Sequence, residues 1–87
     1  MTPLSAKLIL QAAILRCEDA LQMPNPGDAL RAAVRDAFVA LGTTKADEVL
    51  RRLRAIEFEA DRVEVHGTDG VKAQLALARA ALTLRMM

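Results

Sequence analysis

Proline and glycine divide this chain into segments of helical length, and this punctuation constrains the fold more than any other feature. "MTP" opens the first segment, and "PNPGD" ends it and supplies Asn25 as the predicted cap of the second. Gly42 and Gly67 are placed to terminate the second and third segments, because glycine commonly ends a helix in a left-handed conformation. A last segment extends from about Gly70 to Arg85. The loops between segments are short, which is typical of antiparallel helical neighbours.

The hydrophobic residues that fill these segments favour helices over strands. They make up 53% of the 87 residues, alanine and leucine dominate them, and aromatic residues are only 2%. Alanine and leucine have high helix propensity, whereas strands are enriched in β-branched and aromatic residues. The sequence therefore predicts an all-α fold, a small bundle of about four antiparallel helices, with residues 1–87 forming a single helical domain.

The stretch "RRLRAIEFEADRVEVHG", residues 51–67, fits two structures. Apolar residues spaced by three and four, including Val49, Leu53, Ile56 and Ala60, favour one amphipathic helix. The alternation in "IEFEA" and "VEVHG" instead fits an α+β fold with a short hairpin within residues 56–66. The helix is favoured because it accounts for the whole stretch, and it predicts that Phe58 lies opposite the apolar face.

The first and last helices are too apolar for a small monomeric bundle. Large aliphatic residues cover most of each helix, with only a thin polar stripe between them. A helix that is apolar nearly all round is normally buried on more than one side, and four helices cannot bury two of their number in this way. We therefore expect a homodimer or an obligate complex. The residues expected at its interface are Leu8, Leu15, Leu77 and Leu84.

One basic cluster lies on the third helix and gives the best candidate for a partner-binding surface. Its members are Arg51, Arg54, Phe58 and Arg62. An exposed aromatic residue flanked by arginines is the composition enriched at protein–protein hot spots. The same residues would suit phosphate contacts and base stacking, but carboxylates outnumber basic residues in this segment, and mixed charge disfavours a nucleic-acid surface.

The remaining reactive side chains are better explained by structure than by chemistry. Cys17 lies in an apolar helix and is expected to be a small core residue, while His66 suits the carbonyl end of a helix. One cysteine and one histidine make a metal site improbable, and no cofactor-binding motif is present in the sequence. We expect no catalytic, cofactor-binding or metal-ligating residues and therefore no enzyme activity.

These observations predict a non-catalytic helical module that binds another protein, as an adaptor, assembly chaperone or small inhibitor does. The alternative is a nucleic-acid-binding protein that uses the basic face of the third helix. A net charge of +1 gives no overall bias toward polyanions. No apolar run approaches the roughly 20 residues of a membrane-spanning helix, so we expect no membrane association and a cytoplasmic location.

Overall fold

The computed structural model describes residues 3–42 and 47–85, with side chains described for residues 6–42 and 47–82. These ranges contain the helices α1 (Pro3–Ala20), α2 (Pro26–Leu41), α3 (Asp47–Ala60), α4 (Val63–His66) and α5 (Asp69–Arg85). They contain no strand, so the all-α prediction is confirmed and the alternative hairpin within residues 56–66 is wrong.

The four long helices pack as a closed ring. The helix α1 packs against α2 and α5, and α3 packs against the same two helices from the other side. Two contacts show that α2 and α3 are antiparallel: Arg31 pairs with Asp61, and Arg54 lies over the ring of Phe38. Short connections force this up-and-down order, because a short loop leaves the next helix no path except back along its predecessor.

Small residues fill much of the core between these helices. The largest fully buried side chains are Leu30, Val34, Leu41, Leu53, Ile56 and Val71, together with Cys17. Between them lie buried alanines at positions 6, 13, 20, 33, 37, 60 and 78. Alanine lets helix axes approach closely, so the core is narrow and the outward half of each helix remains in contact with solvent.

The predicted third helix is interrupted near its end. The amide of Arg62 donates to the carbonyl oxygen of Glu59, three residues back, instead of continuing the four-residue ladder. A single turn, α4, follows this break and buries Val63, while Val65 is 79% exposed. The stretch is therefore mostly helical, as predicted, but it is two helices rather than one.

Glycine ends two of the helices as the sequence predicts. Gly42 after α2 and Gly67 after α4 both have positive φ angles, of 60° and 76°. The amide of Gly67 donates to the carbonyl oxygen of Val63 at 2.8 Å, which closes the last turn of α4. Asn25 occupies the N-cap position of α2, but its side chain makes no capping hydrogen bond. The predicted position is confirmed and the predicted bond is absent.

Candidate interaction surfaces

Arginine and phenylalanine form a strip along the outer face of α3 and the turn that follows it. We call this set the arginine strip, and its members are Arg51, Arg54, Phe58 and Arg62. All four side chains are exposed, and Phe58 is 58% exposed. The strip lies opposite the buried face formed by Val49, Leu53, Ile56 and Ala60. The predicted exposure of Phe58 is confirmed, and the helix brings all four residues to one surface.

Each phenylalanine of the chain lies beneath an arginine of this strip. The guanidinium carbon of Arg62 is 5.3 Å from the centroid of the Phe58 ring. The guanidinium carbon of Arg54 is 5.7 Å from the centroid of the Phe38 ring, and Phe38 is a half-buried residue of α2. Both distances are within the range of cation–π attraction, which contributes about 0.5–1 kcal/mol at an exposed site. These contacts hold the two guanidinium groups in place on the surface.

Arg62 also bonds to His66, the last residue of α4. Its Nη2 atom lies 2.9 Å from Nε2 of His66, which is four residues away. Since a guanidinium can only donate, Nε2 is the acceptor in this hydrogen bond. Both side chains are exposed. His66 therefore lies at a helix end, as predicted, and in addition contacts the end of the arginine strip.

The helix α2 extends this surface with two residues that the sequence did not point to. Phe38 is one of them, because it lies under Arg54. The other is Arg35, which is exposed and lies on α2 between Arg31 and Phe38. The pairing of Phe38 with Arg54 and of Arg31 with Asp61 fixes the register of α2 on α3. This register places Arg35 level with Glu57, the residue before Phe58, and only the packing of the two helices reveals it.

Asp28 and Asp61, two carboxylates beside this surface, are engaged by a different arginine. Arg31 bonds to Asp28, and its Nη1 atom lies 3.5 Å from Oδ1 of Asp61. The hydrogen bond that Arg31 donates to Asp28 raises the pKa of Arg31 above its ordinary value; loss of hydration opposes this shift, and the interaction with Asp61 adds to it. Within the described residues, no carboxylate lies at salt-bridge distance from Arg35 or from any arginine of the strip.

A second candidate surface is apolar and lies on α1 and α5. We call this set the apolar face: Leu8, Ala12 and Leu15 lie on the outer side of α1 and Ala73, Ala76 and Ala80 on that of α5, whereas Leu77, seven residues after Gly70, lies on the side of α5 toward Glu59 of α3. The three leucines are 50%, 55% and 49% exposed, in chain order. Leu8 and Leu15 are seven residues apart, so they lie on the same side of α1. Leu84 belongs to α5, but its side chain lies outside the described part of the structure.

An ion pair links α1 to α5, and a shallow groove lies between the two helices. Arg79 of α5 bonds to Glu18 of α1. The groove beside this pair has a volume of about 230 Å³, and Leu21, Leu75 and Ala76 supply its apolar walls, with Lys72 at its rim. The groove is open to solvent and its walls carry no aromatic residue, unlike most small-ligand sites.

Cys17 is fully buried in the core of the bundle. Burial raises the pKa of its thiol to about 11; the positive charge of Arg16 opposes this shift and the charge of Glu18 adds to it. Loss of hydration is the largest of these effects. The thiol is therefore protonated and inaccessible at neutral pH.

The described residues include no group of three or more histidine, cysteine, aspartate or glutamate side chains placed to hold a metal ion. No helix in the described ranges is both long and apolar enough to cross a membrane. Comparison of the chain with protein-family models, with curated proteins and with solved structures gives no match.

Proposed function

We propose that this chain is a non-catalytic helical module that associates with a second copy of itself through the apolar face and binds another protein through the arginine strip. The observation that carries this proposal is the exposure of Leu8, Leu15 and Leu77, each of which leaves about half of its side chain in water. An extended apolar surface of this kind is uncommon on a soluble monomer and is typical of a protein–protein contact.

The strength expected of this self-association follows from the area that it would cover. Burying the exposed half of one leucine contributes about 1 kcal/mol, so Leu8 and Leu15 of two copies together contribute about 4 kcal/mol. Association itself costs at least about 4 kcal/mol. The exposed alanines must therefore be covered as well for a stable dimer, and we expect an affinity in the micromolar range. With a net charge of +1 per chain, repulsion between copies is small.

Light scattering across the micromolar range tests this part of the proposal. We expect the mass to rise with concentration toward twice the 9.4 kDa of one chain. A matched pair of variants locates the contact: Leu15→Ser on the apolar face should lower the association constant, whereas Val39→Ser on α2, which is also well exposed, should not. A constant monomer mass at every concentration would contradict self-association.

Nucleic-acid binding is the second candidate function, and it rests on a separate observation. Arg35, Arg51, Arg54 and Arg62 have no carboxylate at salt-bridge distance among the described residues. If these four groups neutralised four phosphates of a single strand, affinity would fall roughly fiftyfold for a fourfold rise in salt. A complex formed through the apolar face would change little over the same range. The salt dependence therefore separates nucleic-acid binding from self-association through the apolar face.

A cytoplasmic, reducing location fits this proposal. The only cysteine of the sequence is buried in the core as a free thiol, so the fold gains nothing from an oxidising compartment. Fractionation of cells that express the protein, followed by detection in the soluble cytoplasmic fraction, tests this location.

A further inference from the structure

We infer that the surface shared by α2 and α3 binds an acidic, partly apolar segment of another protein, and that it does so through arginines already held in position by the two phenylalanines. This inference rests on the proposed function and names the chemistry of its partner. The surface consists of the arginine strip together with Arg35 and Phe38, and we call it the α2–α3 surface.

The two stacked arginines are prepared to receive carboxylates. Arg54 lies over the ring of Phe38 and Arg62 over the ring of Phe58, so a cation–π contact restrains each guanidinium. The N–H groups of a guanidinium lie in its plane and form a fork that matches a carboxylate. One Nη of Arg62 is bonded to His66, and the other donors remain available at its edge. A carboxylate that approaches in this plane accepts two parallel hydrogen bonds, and less side-chain freedom is lost because the arginine is already held.

The charge of the α2–α3 surface suits a short acidic segment rather than a long polyanion. Four arginines contribute positive charge, and the nearby Asp61 is engaged by Arg31. Of the four carboxylates of α3, the half-buried Glu57 and the exposed Asp47 lie on the same side as Arg54, whereas Glu48 and Glu59 lie on the side toward α5, where Glu59 approaches Gly70. The negative charge of Glu57 and Asp47 lowers the positive electrostatic potential on both sides of the arginines and would repel a continuous phosphate backbone. A short segment can place its few carboxylates on the arginines and its apolar residues beside Glu57 and Asp47, which a continuous phosphate backbone cannot do.

The apolar part of the surface also fits a peptide better than a nucleic acid. Base stacking requires an open ring face, but one face of each phenylalanine is covered by a guanidinium, and Phe38 is half-buried as well. Two exposed valines lie at the margins, Val39 next to Phe38 and Val65 next to His66, at 74% and 79% exposure. Aliphatic side chains of a peptide would cover them, whereas phosphates and sugars would leave them in contact with polar groups.

The probes for a test are two synthetic helical peptides and one oligonucleotide, each with a fluorescent label. The first peptide, of about four turns (~14 residues), carries glutamates on one face and leucines between them. The second replaces every glutamate with glutamine and is otherwise identical. The oligonucleotide is a thymidine oligomer of matched length. Fluorescence anisotropy measures binding of each probe to the full chain, and circular dichroism confirms that every variant is folded.

We expect the glutamate peptide to bind more tightly than both the glutamine peptide and the oligonucleotide. Arg54→Gln and Arg62→Gln should each weaken its binding about fivefold, the effect of losing one exposed ion pair. The matched control is Lys72→Gln, which removes the same charge from α5 and should leave binding unchanged. Arg35→Gln should weaken binding as the strip variants do, which would confirm the contribution of α2.

Three results would overturn the inference. The first is equal binding of the glutamate and glutamine peptides, and the second is tighter binding of the oligonucleotide with a steep salt dependence. The third is an equal loss of peptide binding in Lys72→Gln and in the strip variants. If both peptides bind equally and Phe58→Ala abolishes the binding of both, the arginine strip still binds proteins, as proposed. The inference that the partner is acidic would then be wrong. Preference for the oligonucleotide would overturn both.

Discussion

The guanidinium carbon of Arg62 lies 5.3 Å from the centroid of the Phe58 ring, across the break that separates α3 from α4. An exposed phenylalanine would otherwise be loosely held on a helix surface. Here the arginine that covers it also bonds to His66, so three side chains connect the end of α3 to the end of α4. The break therefore lies beneath an organised group of side chains at the margin of the arginine strip.

Phe58→Ala should lower the free energy of unfolding by about 1 kcal/mol or less. The ring is mostly exposed, and the contact that it loses with Arg62 is worth about 0.5–1 kcal/mol. Binding of the protein partner should weaken by about 2 kcal/mol if Phe58 is a hot spot. Urea denaturation monitored by circular dichroism measures the first quantity.

The matched control for Phe58 is Phe38→Ala. Phe38 is half-buried and packs against the core, so its loss should cost more, about 2 kcal/mol. A larger loss of stability in Phe58→Ala than in Phe38→Ala would show that Phe58 packs inward, and it would remove the case for the arginine strip.

Gly67→Ala should destabilise the protein by about 1–2 kcal/mol through backbone strain alone. Gly67 has a φ of 76°, and a methyl group at this position would meet no atom within 4 Å, so no steric clash contributes. Gly27→Ala is the control: its added carbon would lie at an ordinary 3.6 Å from the carbonyl oxygen of Ala60. Because Gly27 is in the first turn of α2, this change should be neutral or slightly stabilising. Thermal melting of both variants measures the contrast.

Cys17 should make stability fall between about pH 9 and pH 11. The unfolded thiol loses its proton near its ordinary pKa of 9.0, while burial holds the folded thiol protonated up to about 11. Over this window the folded state binds more protons than the unfolded state, so the free energy of unfolding decreases by up to about 1.4 kcal/mol per pH unit. The stabilisation that the buried thiol gives to the folded state is fully present below pH 9.

The control for this pH dependence is Cys17→Ala, which should remove the contribution of the thiol without burying a polar group. Urea titrations at several pH values compare the two proteins. A thiol-specific reagent gives an independent measurement, since the thiol should react at neutral pH only when the protein is unfolded. Rapid modification of the folded protein would contradict the burial of Cys17.

The boundaries of the helices were predictable where proline or glycine marks them. Pro26 begins α2, and Gly42 and Gly67 take the positive φ angles expected of helix terminators. The break between α3 and α4 was not predictable, because "ADRV" contains neither residue. The break accompanies the burial of Val63. The local sequence does not encode how this residue packs against other helices.

The surfaces were predictable only in part, for a related reason. Helical periodicity places Phe58 and the arginines of α3 on one face, and the structure confirms this arrangement. The contributions of Arg35 and Phe38 depend on the register between α2 and α3, which no spacing within either helix encodes. Periodicity likewise identified the leucines of the apolar face, but it did not show that about half of each side chain remains exposed.

Leu15→Asp should give a folded monomer. Aspartate at a position that is 55% exposed keeps its carboxylate in water, so the fold loses little stability. In a self-associated form the same carboxylate would be buried without a partner, at a cost of several kcal/mol. Leu77→Asp, at 49% exposure on the side of α5 toward α3, should also leave the chain folded. From the sequence alone, unfolding was as plausible an outcome as dissociation, and the exposure of both leucines argues against unfolding.

The control for these variants is Leu10→Asp, which changes the same helix on its buried side. Leu10 is only 3% exposed, so its replacement puts an unpaired charge into the core and should unfold the chain. Circular dichroism reports folding and light scattering reports mass for all three variants. Folded Leu15→Asp that retains the wild-type dimer mass would exclude Leu15 from the dimer contact. Loss of helix in Leu15→Asp would instead show that its side chain is buried within the single chain.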